Sequence, residues 1–178
     1  ASLDYDAIKT RPATPHVNFP ANSPFVLSCG GTEIETSKSR DKIVREFAWN
    51  ELNQCRLATA GGISRTFKRP DYQDGIDLPK PPPVIGEFDG RGVPDVAANA
   101  SLASGYHLLM GGRWDYSGGT SAAAPLWAGL IARINQGIGH RVGFIHPYLY
   151  KLAGLPAFRD ITEGSNGYYE SRPGWDAC

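Results

Sequence analysis

The stretch Ser117-Gly118-Gly119-Thr120-Ser121-Ala122-Ala123-Ala124-Pro125 runs without a break into Leu126, Trp127, Ala128, Leu130, Ile131, Ala132 and Ile134. That apolar spacing predicts a buried helix ending near Asn135–Gly137. Gly118 and Gly119 tolerate backbone conformations that other residues resist. The three alanines after Ser121 let another backbone or a ligand come close. A serine at a helix start lies beside unpaired N–H groups and the positive end of the helix dipole, where negative charge is favoured. Such a residue is either a helix N-cap or a nucleophile placed to attack a carbonyl.

Composition bounds the rest. The 178 residues suffice for one domain with a real core. Twenty-one glycines and fourteen prolines make the chain loop-rich, while 41% hydrophobic content argues against disorder. Eighteen acidic and eighteen basic residues cancel, so nothing draws the chain to nucleic acid or to an anionic membrane. No apolar run is long enough to span a bilayer. Ala1 to Lys9 is mixed and polar and does not read as a signal peptide. Cys29, Cys55 and Cys178 leave at least one thiol unpaired and match no zinc-binding spacing; one disulfide and buried free thiols both fit.

Along the chain, Ala1–Ala21 is irregular and Phe25–Cys29 reads as a buried strand stopped by a turn at Gly30-Gly31. Thr32–Thr36 and Glu46–Trp49 read as further strands, and Gly61-Gly62 opens another segment reaching Phe67. Lys68–Asp89 is a proline-rich loop, Gly92–Ala97 a strand end, and Tyr106–Tyr116 a hairpin. After the Ser121 helix come a shorter one at Pro147–Leu152 and a polar, glycine-rich, aromatic tail, Phe158–Cys178. Trp114, Tyr116 and Trp127 are expected to pack in the core or against loops. Strands interleaved with one strong helix fit an α/β layer fold.

Several ordered motifs together resemble one family. The pattern G-T-S-x-A-x-P at Gly119–Pro125 is shared by subtilisin-like enzymes and by the sedolisins, or serine-carboxyl peptidases. His16-Val17-Asn18-Phe19-Pro20 followed by Cys29-Gly30-Gly31-Thr32, the Gly61-Gly62-Ile63-Ser64 turn, and Gly90-Arg91-Gly92-Val93-Pro94-Asp95-Val96-Ala97 are similar to sedolisin motifs. So is Asp160-Ile161-Thr162-Glu163-Gly164 with Pro173-Gly174-Trp175-Asp176. The chain is similar to the C-terminal portion of a sedolisin peptidase domain, on the kumamolisin-like branch. The resemblance implies a subtilisin-like layered α/β fold with a mainly parallel sheet, of which only the C-terminal part is present.

It also implies a serine-type endopeptidase that acts at acidic pH through an acyl-enzyme on Ser121, on protein or peptide substrates, outside the cell. Asn18, Gly119 and Thr120 would meet the substrate. Asn18 stands where relatives carry Asp, so a preference for a basic residue there would weaken; a plain turn asparagine is the other reading. The resemblance further implies that residues 158–178 would form a calcium loop, with one ion held by the Asp160 and Asp176 side chains and the Ile161, Arg172 and Gly174 carbonyls. An ordinary surface loop with solvated acids is the alternative.

In the family the Glu and Asp that replace a histidine–aspartate pair, and the oxyanion-hole Asp, lie upstream of the His16–Pro20 motif. A serine hydroxyl is a weak nucleophile without such a base. Glu87, Asp89 and Asp95 match none of those positions, Asp4 and Asp6 receive no role, and Asp95 is expected to serve the structure. His16, His107, His140 and His146 show no Ser-His-Asp order. An upstream N-terminal chain is therefore the expected partner, and without it apolar surface and strand edges are expected to be uncovered. The alternative is a truncated, inactive relative that acts as a binding module.

Overall fold

The computed structural model describes residues 16–81, 83 and 86–178. Ala1, Ser2, Asp4, Asp6 and Pro82 lie outside the described residues. The strands are β1 (Cys29–Thr36), β2 (Ile43–Ala48), β3 (Asn50–Glu51), β4 (Leu57–Ala58), β5 (Gly62–Lys68), β6 (Gly90–Val93), β7 (Val96–Asn99), β8 (Tyr106–Met110) and β9 (Arg113–Ser117). Two helices follow, α1 (Thr120–Ile138) and α2 (His146–Lys151).

The central sheet has the order β2-β1-β7, antiparallel between β1 and β2 and parallel between β1 and β7. Three antiparallel pairs, β3-β4, β5-β6 and β8-β9, complete the strand set. Among the described residues the pairings are mixed: β1–β7 is the one parallel pairing, and the mainly parallel sheet that was expected is not seen. A parallel pair needs a long crossover, and that connection brings Val96–Asn99 beside Cys29–Thr32.

Gly30-Gly31 does not stop a strand, contrary to the turn expected there; it lies inside β1. Both glycines serve close approach. A Cβ at Gly30 would overlap the Cys178 carbonyl, and one at Gly31 would lie 2.6 Å from Ala100 Cβ. Phe25–Ser28, expected as the strand, is a turn and coil leading into it. The β8–β9 hairpin matches its expectation. Gly111 and Gly112 supply two successive positive φ angles, 57° and 78°, as a tight two-residue hairpin requires.

Two small clusters anchor the core: Ala48, Ile161 and Cys178, and Ile63, Tyr169 and Ala177. The polar tail thereby reaches the interior, where Asn166 Nδ2 donates to the carbonyls of Gly61 (3.2 Å) and Ala177 (3.0 Å). All three cysteines are free thiols.

The long helix departs from its expected burial. It ends at Ile138 with Gly139 in the left-handed region. It packs on the sheet through Ala123 and through Trp127, whose Nε1 donates to Ala97 O at 3.1 Å. Leu126, Leu130, Ile134 and Ile138, spaced four apart, stand between 37% and 52% exposed. The described elements cover one side of this helix only. Trp114 and Tyr116, expected to be packed, are also exposed, on the face of the hairpin where His107 lies.

Candidate functional site: the start of α1

The turn before α1 is built on the segment after β7. Gly119 N–H donates to Ala100 O at 2.5 Å, and Gly119 has φ 77°. A Cβ at Gly118 would lie 2.7 Å from Ala100 O, so only glycine fits that approach. Thr120 packs its methyl group toward Gly31. Ser121 is then the second residue of the helix and is exposed. Its N–H is among those without an intrahelical acceptor. Pro125 lies four residues on and has no N–H for the Ser121 carbonyl. Both backbone groups of Ser121 are therefore outside the helical ladder.

Among the described residues no carboxylate or imidazole hydrogen-bonds Ser121 Oγ. Glu87 is exposed and Asp89 pairs with Arg69 at 3.0 Å. Asp95 does serve the structure, in a buried network. It accepts from Arg91 (2.6 Å), Ser28 N–H (2.8 Å) and Tyr150 OH (3.0 Å). His146 Nε2 lies 3.4 Å from Asp95 Oδ2 and 3.2 Å from Val26 O. Facing two acceptors, Nε2 carries the hydrogen, while Nδ1 is buried without a partner. Gln73 bridges Tyr150 OH (2.5 Å) to both backbone groups of Gly92. This His–Asp pair is committed to Arg91 and Tyr150 and makes no bond to Ser121.

Cysteine nucleophiles are disfavoured at the two less exposed positions. Burial, with the Asp95 charge added, pushes the Cys29 thiol up to about 11, and burial pushes Cys178 up to about 12.

Asn18 is exposed in a turn, where its carbonyl accepts from Asn22 N–H at 3.0 Å. No hydrogen bond among the described residues joins it to Ser121 or Thr120.

The tail brings Asp160 and Asp176 together. Gly174 N–H donates to both Asp160 oxygens (3.1 and 3.2 Å), and Arg172 N–H donates to Asp176 Oδ1 (2.8 Å). The Arg172 side chain turns away to Asp77. Asp176 Oδ2 is buried with no partner. Burial above all, with the Asp160 charge adding, raises the Asp176 carboxyl to about 6 despite the bond from Arg172 N–H. The residues fit a hard cation: two neighbouring carboxylates, one oxygen orphaned, in a loop whose backbone carbonyls are oxygen donors. No group of three or more His, Cys, Asp or Glu side chains gathers among the described residues, so carbonyls would have to complete any such shell.

Sequence reasoning missed the His146–Tyr150–Gln73 half of the Asp95 network, and Glu51. No local pattern marks these residues, because their partners lie far away in the chain.

No family model matches the chain. It is similar to the kumamolisin of Bacillus sp. (strain MN-32), 47% identical over 169 residues, covering 92% of this chain and 30% of that protein. It is 32% identical to the sedolisin of Pseudomonas sp. (strain 101) over 174 residues, covering 92% of this chain and 28% of that protein. Among solved structures it resembles Pseudomonas sedolisin, a serine-carboxyl proteinase complexed with two molecules of pseudo-iodotyrostatin. There the TM-score is 0.75 at 30% identity, over 89% of this chain and 43% of that one. The chain thus spans less than a third of the length of these two full-length relatives, and its α/β fold is the subtilisin-like fold of that solved structure. On these matches it belongs to the sedolisin family, as a kumamolisin-like C-terminal portion.

Proposed function

We propose that this chain, residues 1–178, is the C-terminal portion of a sedolisin-type serine endopeptidase domain, secreted and acting on proteins or peptides at acidic pH. The observation that carries the reading is the exposed Ser121 on a glycine turn docked to Ala100, with its own N–H outside the helical ladder. In this reading Ser121 Oγ attacks the scissile carbonyl and gives its proton to an upstream carboxylate. The Ser121 N–H then helps to hold the oxyanion, and the amine leaves with a proton returned by the same carboxylate. The acyl-enzyme is finally hydrolysed by water. Gly119, Thr120 and Asn18 line the substrate path. A carboxylate base suits acidic pH because its ordinary pKa is low.

Calcium belongs to the same reading. Asp160 and Asp176 would supply the charge, with the Ile161, Arg172 and Gly174 carbonyls completing the shell. The ion would neutralise the buried Asp176 and tie the tail together.

The second reading is a catalytically inactive binding module. It is favoured by the absence, among the described residues, of any base bonded to Ser121 Oγ, and by the uncovered α1 face. A Ser121→Ala substitution in the full-length protein separates the two. Loss of essentially all peptide hydrolysis at acidic pH, with melting temperature unchanged, supports the peptidase. Hydrolysis unaffected by the change, or absent from the wild type, supports the binding module.

A further inference from the structure

Glu51 ends β3 and is 7% exposed, an unusual place for a carboxylate. Its Oε1 accepts from Ser101 Oγ at 2.6 Å, from Leu102 N–H at 3.1 Å and from Ala103 N–H at 3.3 Å. Oε2 accepts from Cys55 Sγ at 3.3 Å. Burial pushes this carboxyl up, but the bonds from Ser101, Cys55 and Ala103 outweigh it and hold it below the ordinary glutamate value. Glu33 faces the same Ser101; burial raises its pKa, and the Glu51 charge adds to that rise.

The Ala100–Ala103 turn that Glu51 holds is also the seat of the turn before Ser121. Ala100 N–H and Ser101 N–H both donate to Thr32 O, at 2.7 and 3.3 Å, which fixes one end of the segment on β1. Glu51 fixes the other end. Between them, Ala100 O accepts from Gly119 N–H, and the Ser101 carbonyl lies 3.1 Å from where a Gly118 Cβ would be. The next residue but one after Gly119 is Ser121, in the first turn of α1. A shift of the Ala100–Ala103 backbone therefore passes directly to Ser121, with no flexible linker between.

We propose that Glu51 is a positioning residue for Ser121, acting through the Ala100–Ala103 turn. This rests on the reading of Ser121 as the nucleophile. Glu51 touches no reacting atom; it sets the place from which Ser121 Oγ attacks. Small displacements of a reacting group cost rate more than binding, on the order of 100-fold for 1 Å.

The test uses the full-length protein, a peptide substrate and hydrogen exchange read by mass spectrometry. Glu51→Ala is expected to lower kcat by roughly 10- to 100-fold with KM within about twofold, and to speed exchange in peptides containing Ala103 and Gly119 alike. Glu51→Gln keeps an oxygen at the Oε1 position and is expected to restore most of kcat and both protections. Should Glu51→Ala fail to fold, Ser101→Ala removes the shortest bond and is expected to give a smaller effect in the same direction. Unchanged kcat overturns the proposal. So does fast exchange at Ala103 with Gly119 still protected, because Glu51 would then cap its own turn alone. If Ser121→Ala leaves hydrolysis intact, the nucleophile reading has failed, while exchange at Gly119 still reports separately whether Glu51 holds that turn.

Discussion

The two helices of this chain sit in opposite surroundings. The six-residue α2 buries His146 and directs Tyr150 OH into a buried network of charged and polar groups. The nineteen-residue α1 carries the leucines and isoleucines, yet leaves most of them facing out. Hydrophobicity alone does not assign the inside of this molecule. Burial is tolerated where each polar group finds a partner, and Arg91, with side-chain exposure of 0%, finds Asp95, Tyr72 OH and the carbonyls of Ala21 and Val26. Apolar groups, by contrast, are buried only where something covers them. The stripe from Leu126 to Ile138 is a surface of the kind that marks an interface.

The largest effect expected from breaking this contrast is on the network side. Asp95→Ala leaves the Arg91 guanidinium buried and uncompensated, and should cost about 3–5 kcal/mol in urea unfolding. A loss below about 1 kcal/mol would mean that water reaches Arg91 and that the network is not sealed.

The tail loop is the intermediate case, a buried carboxylate oxygen lacking a partner. Its raised carboxyl, at about 6, favours the protonated form in the folded state. The contribution of Asp176 to calcium-free stability should therefore be greatest below the ordinary aspartate value of 3.8 and decline as pH rises toward about 6. Calcium favours the carboxylate, so its stabilising effect should be larger at neutral than at acidic pH. Melting curves with calcium and with chelator should show this for the wild type. Asp176→Asn should flatten the pH trend and abolish the calcium response; a response that persists in this variant removes Asp176 from the site.

The smallest effect belongs to α1. Leu126→Gln with Leu130→Gln should change the stability of this chain by no more than about 0.5 kcal/mol, since both side chains are about half exposed. In the full-length protein the same pair should be strongly destabilising if upstream segments cover the stripe. Equal tolerance in both settings would leave the stripe a solvent face.

What could be read in the sequence was local. The hairpin at Tyr106–Tyr116 and the helix after Ser121 could be read, because each pattern concerns residues close to one another in the chain. Gly30-Gly31 misled because a glycine pair needed for close packing looks the same as one needed for a turn. The burial of α1 was misjudged for a similar reason: apolar spacing shows which face wants cover, and says nothing of whether cover is present. Ser121 and the tail aspartates stood in short motifs, so the place of the serine at a helix start and of the two aspartates in one loop region could be read. Glu51 lies amid the polar stretch Asn50–Gln54, and its partners are about fifty residues away.

The parallel pairing of β1 with β7 has a consequence for how the chain finds its fold. Ser28 and Asp95, bonded at the head of that pairing, are separated by 67 residues. Closing so long a loop spends chain entropy before any contact rewards it, whereas the β8–β9 hairpin needs only its own two-residue turn. The hairpin and α1 should therefore organise on fast timescales, with the β1–β7 closure setting the overall rate. During that interval β1 presents an open edge, and the chain is most exposed to aggregation then.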